Sequence, residues 1–148
     1  LPLRPPAEII ASLAYRNGLG PDVAGLLWLS HVMAAEHDSR ADARSFFLWQ
    51  DFLKDWRGTL LAAEGDLGVA CDAEGERAAR TVEGFLAPDL QRHHQTALSD
   101  IAQDATITSV WSDMQTLIGA SHKPSAMESL DRTAIRISAS LAGEKTPD

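Results

Sequence analysis

The stretch "DVAGLLWLSHVMAAEH", residues 22 to 37, decides how this chain is read. Its apolar residues Val23, Leu26, Leu27, Trp28, Leu29, Val32 and Met33 point almost all the way round a helix. A helix that is apolar on every side belongs in the middle of a core. The spacing therefore predicts a central helix, with His31 buried along it. Pro21 can open this helix because the first turn needs no donor there. Upstream, "AEIIASLAYR" reads as a first helix, started in its first turn by Pro6 and stopped by Asn17-Gly18. Residues 1–6, with three prolines, read as an extended lead-in.

Downstream, Phe46, Trp49, Leu53, Trp56 and Leu60 recur at 3-4-3-4 spacing. That pattern predicts one long helix from Arg40 to Glu64, with the five residues in a single stripe. Asp72 is a candidate N-cap for a fourth helix in which Ala78, Val82, Phe85 and Leu86 share a face. Pro88 kinks that helix or starts a fifth, "PDLQRHHQTALSDIAQD". Ile107, Val110, Trp111, Met114, Leu117 and Ile118 define a further helix. Met127, Leu130, Ala134, Ile137 and Leu141 stripe the last one, and residues 143–148 read as a frayed tail. No segment alternates polar and β-branched apolar residues over strand length, so no strand is expected. The expected fold is all-α: a single domain over residues 1–148, built as a bundle of about six or seven helices.

The chain has 148 residues, enough for one domain with a sizeable core. Its net charge of −8 argues against a nucleic-acid partner, because phosphate binding needs a basic face. The longest nearly apolar run, Val23 to Ala35, falls well short of the about 20 residues that a bilayer span requires. Cys71 is alone, so no intrachain disulfide can form, and a cytoplasmic location is expected. The chain opens on Leu, as a processed form, an excised domain or a trimmed chain would, and no targeting segment is visible.

Catalytic signatures are missing. There is no G-x-S-x-G turn, no phosphate-cradling G-K-[ST], no H-E-x-x-H and no paired Glu-x-x-His. The reading therefore leans away from an enzyme, and no cofactor is expected. The histidines carry the one alternative. His31 and His37 lie six positions apart, about 120° round the helix and about 9 Å along it, too far for one metal. His94 falls on the inward face of the "LQRHHQTALSD" segment, with His93 at its edge. A metal or haem site would need His31 and His94 together, with His93 or His37 in support. The duller reading of each is a core or boundary imidazole bonded to a nearby hydroxyl or carbonyl. His122, in "ASHKPS", is expected in solvent.

Aromatic residues suggest recognition. Four tryptophans are many for a bundle, and tryptophan often lines cavities or anchors interfaces. Trp28, Trp49 and Trp56 are candidate contacts, although filling the core would explain them as well. Phe47 and Leu61 would fall on the polar side of the long third helix, which suggests a second contact surface. The functional expectation is a binding or regulatory domain that recognises a protein partner or a small apolar ligand. The alternatives are the metal- or haem-binding bundle just described, or a homodimer with the third or last helix as its seam.

Overall fold

The computed structural model describes residues 1–70, 75–86 and 104–143. In chain order the elements are β1 (Pro2–Leu3), α1 (Pro6–Asn17), α2 (Pro21–Asp38), β2 (Phe47–Leu48) and α3 (Trp49–Lys54). They continue with α4 (Trp56–Leu67), α5 (Glu76–Phe85), α6 (Ala105–Thr116) and α7 (Pro124–Gly143). The fold is mostly α, with seven helices among the described residues, as the apolar periodicity predicts. The segment "PDLQRHHQTALSDIAQD" lies outside the described residues, except for its last residue, Asp104. Asp104 caps α6, its carboxylate accepting from the Thr106 N–H at 2.7 Å and the Ile107 N–H at 3.3 Å.

Both of the first helices follow their sequence signals. α1 begins at Pro6 and ends at Gly18, whose φ of 66° is a conformation that other residues rarely adopt. The Gly18 N–H closes the helix on the Ala14 carbonyl at 3.0 Å. The same proline start serves α2 at Pro21.

The long helix from Arg40 to Glu64 does not form. Residues 39–46 are irregular, and the chain then runs extended through β2 before α3 and α4. Electrostatics at the end of α2 explain the break. Glu36 is 1% exposed and Arg44 4% exposed. The Arg44 Nη2 donates to Glu36 Oε1 at 3.0 Å, its Nη1 donates to the Glu36 carbonyl, and its Nε donates to the Ser121 carbonyl at 3.0 Å. Arg40 reaches the other side of the same carboxylate, with Nη2 2.8 Å from Oε2. A buried carboxylate is tolerable only when its charge is matched and its lone pairs are filled. The two arginines do both. A helix continued through residue 44 would carry Arg44 away from this position, so pairing wins over the apolar period.

α3 and α4 are separated at Asp55. Its backbone leaves the helical region, and its carboxylate accepts the Gly58 N–H at 2.9 Å, capping α4. A Cβ on Gly58 would lie 2.2 Å from that carboxylate, so a side chain there would displace it from its present position.

The expectation of no strands also fails, in a small way. β1 and β2 pair in parallel, with Pro2 opposite Phe47 and Leu3 opposite Leu48. Parallel strands need a long crossover, which α1 and α2 supply. The lead-in is thus extended, as its prolines predict, and anchored: Leu3 is buried and Phe47 N–H donates to the Leu1 carbonyl at 3.2 Å. Two-residue strands carry too few hydrogen bonds to alternate visibly in sequence.

The main core joins Leu3, Ile10, Ala24, Trp28, Leu29 and Phe46 to Ile107, Val110, Met114, Leu117, Ala126 and Leu130. A second cluster forms around Trp56 and Ala79, with Phe52, Leu60, Val82 and Leu86 against it. The residues of the expected single stripe therefore serve two cores. Phe46 belongs to the first, and Trp56 and Leu60 to the second.

Arg44→Ala is expected to destabilise the chain by about 3–5 kcal/mol, since it leaves the buried Glu36 short of charge. The double change Glu36→Leu with Arg44→Met should cost less than Arg44→Ala alone, because neither partner then remains charged. Urea denaturation of the three proteins checks the order.

Candidate binding groove

α2 is apolar on all sides, but among the described residues only one of them is covered. Ala24, Gly25, Trp28, Leu29 and Glu36 face the core. On the opposite side Val23 is 51% and Leu26 54% exposed. The expectation of a helix buried all round is corrected here: α1, α6 and α7 pack against α2, yet Val23 and Leu26 stay half exposed.

Between α2 and α7 lies an open groove of about 480 Å³. Val23, Leu26, Leu27, Ser30 and Met33 form one wall, and Ala134, Ile137 and Ser138 the other. Beyond Met33 and Ala134 it continues into a smaller depression of about 200 Å³, where the lining turns polar: His37, Asp38, Arg40 and Asp131. Arg40 closes this end. Its guanidinium forks onto Asp131, with Nη1 3.0 Å from Oδ2 and Nη2 2.9 Å from Oδ1, while still holding Glu36. The fork holds the Asp131 carboxyl below the usual carboxylate range, chiefly by hydrogen bonding, with the Arg40 and His37 charges adding to it.

Described residues also line two other cavities. One, of about 380 Å³, lies between β1, α1 and α2, with Trp28, Phe46 and Met114 on its lining and His31 and Arg4 also contributing. The other, of about 600 Å³, is bordered by Phe47, Leu48, Asp51, Asp55 and Asp66, where the Ser45 hydroxyl donates to Asp66 at 2.6 Å.

The residues singled out in the sequence do not converge. Trp28 is 6% exposed and meets the Trp111 ring edge-on at 6.3 Å, a core contact. Trp56 is buried in the second cluster, with the Arg57 guanidinium 4.8 Å above its ring. Phe47 sits in β2, not on a helix face, half-buried and 5.7 Å from the Phe52 ring. Trp49 stacks on the same Phe52 at 5.4 Å. Leu61 is 47% exposed on α4. Phe47 and Leu61 are therefore not one patch on one helix.

The histidines separate as well. His31 is exposed, not buried, at the lining of the cavity beside Trp28 rather than on the Val23 and Leu26 side. His37 is exposed at the end of α2, its Nδ1 3.2 Å from Asp38 Oδ1. His122 is exposed in its loop. His93 and His94 lie outside the described residues, and Cys71 does too. Among the described residues no group of three His, Cys, Asp or Glu side chains is placed to hold a metal ion. Nor is any helix there long and apolar enough to cross a membrane.

The groove residues were legible singly but not together. Leu26, Met33 and Ile137 read as core, and nothing in their spacing shows that the core stops short of them. The Glu36, Arg40 and Arg44 spacing of four and four is visible in the sequence and reads as an ordinary exposed ladder. No protein-family model, curated protein or solved structure matches this chain.

Asp131→Asn should flatten the acid limb of the stability curve. A carboxyl held below its unfolded value contributes stability above that value, near pH 4, and loses it as pH falls through the folded one. The side chain is half exposed, so solvent and salt reduce the effect. Urea melts between pH 2 and 7 on the order of 0.05 and 0.5 M salt check this: the two proteins should differ most at neutral pH and low salt.

Proposed function

We propose that this chain is a helical binding domain whose partner seats on the groove between α2 and α7. One observation carries the reading: a helix apolar around its whole circumference has one side left open, next to a second helix that adds apolar side chains to the same trough. Covering such surface is worth about 25 cal/mol per Å² of apolar area removed from water. Apolar clefts with a few polar groups at one end are also where proteins commonly hold ligands. Here the polar groups are Asp38, Arg40 and Asp131.

A second reading rests on the cavity beside Trp28. At about 380 Å³ it falls within the range of small-molecule sites, and its lining is mostly apolar. A small apolar ligand would seat there against Trp28 and Val32, with Arg4 and His31 at hand for a polar group.

An apolar fluorescent dye separates the two. Leu26→Asp should reduce dye binding severalfold while changing stability by no more than about 0.5 kcal/mol, since Leu26 is half exposed. Ile135→Asp, on an exposed residue outside the groove lining, should leave dye binding unchanged. If Val32→Trp removes the dye and Leu26→Asp does not, the cavity is the site and the groove reading fails.

A further inference from the structure

We infer that the occupant of this groove is a basic amphipathic helix; the inference rests on the binding reading above and adds the chemistry of the partner. Three features lead to it, the first being the walls. Both are helices, so their backbone groups are already bonded within themselves. An extended peptide laid between them would find no backbone partners along either wall. A helical one arrives with its own backbone satisfied and needs only side-chain fit.

The second is relief. From Val23 to Asp38 the trough runs about 22 Å, room for about four helical turns. Ser30 and Ala34 on α2 and Ala134 and Ser138 on α7 are small residues spaced four apart, giving low stretches between the taller Leu26, Met33 and Ile137. A facing helix with apolar residues at three- and four-residue intervals can set them into those low stretches.

The third is charge. Asp38 is exposed in the lining at one end of the trough, and Asp131, half exposed, lines the same end. The one arginine in the lining, Arg40, is already committed to Glu36 and Asp131. Arg132 and Arg136 of α7 are not among the groove-lining residues. The chain as a whole carries −8. A basic partner is drawn to this surface and an acidic one repelled, and a second copy of the same chain brings another −8.

The test uses the whole chain and two labelled synthetic helical peptides with the same leucine face, one with lysines on its polar face and one with glutamates. Fluorescence anisotropy should show the lysine peptide binding at least about tenfold more tightly than the glutamate peptide, and weakening as salt rises. Leu26→Asp distinguishes seating from bulk attraction: added negative charge strengthens a purely electrostatic contact, but breaks a seated one by about tenfold or more. Ala134→Trp, which fills the trough without changing charge, should act in the same direction, with its melting curve showing that the fold persists. If both peptides bind equally and Leu26→Asp weakens both, the groove is a binding site and the basic partner is wrong. If neither peptide binds, or Leu26→Asp leaves or strengthens lysine-peptide binding, the groove reading itself falls. A stable dimer in sedimentation that Leu26→Asp splits would make the occupant a second copy and overturn the inference.

Discussion

Glu36 lies at the end of α2 with almost no contact with water, and two guanidiniums converge on its carboxylate. Much of the architecture follows from this arrangement. Arg40 completes the charge from the partly exposed side and ties α2 to Asp131 of α7. Arg44 completes it from inside, bonds the Ser121 carbonyl in the connection between α6 and α7, and lies 5.1 Å from the Phe46 ring. Bringing Arg44 back toward Glu36 turns the chain, and the turned chain runs beside β1. The short parallel pair and the burial of Phe46 are thus consequences of where one carboxylate is neutralised. Removing water from a charge is costly enough that its partners are not optional.

The same arrangement shapes the exposed surface. α2 is held by α1, α6 and one edge of α7, and the polar cluster pins its last turn. Among the described elements, α7 borders the side that carries Val23 and Leu26 without covering it. Trp28 and Trp111 meet in the interior, whereas Leu26 and Met33, on the far side of the same helix, line an open trough. Of the aromatic residues that drew attention as contact candidates, Trp28 and Trp56 each pack into a different core. The residues that line the groove are mostly aliphatic, and they are conspicuous only once their exposure is known.

Helix starts and stops were open to reading from the chain itself. Pro6, Pro21, Gly18 and the α6 and α7 apolar faces act through local backbone geometry and periodicity, which depend on neighbours within about one turn. Asp55 carried a signal of the same local kind, a carboxylate three residues before Gly58, but the aromatic period running across it masked the cap. The stripe from Phe46 to Leu60 shows how a period can mislead: residues three and four apart line up on a helix only if the helix exists.

By itself, then, the sequence determined a mostly helical chain, its proline and glycine boundaries and its net negative charge, because propensity, capping and charge are local or additive properties. Tertiary structure alone decided that Glu36, Arg40 and Arg44 form a buried cluster, that Phe46 and Trp56 belong to different cores, that His31 is exposed, and that the described residues leave one side of α2 open. Burial depends on which elements arrive from elsewhere in the chain, and the same leucine reads identically whether or not another helix comes to cover it. Only the positions of α1, α6 and α7 around α2 show where the cover ends.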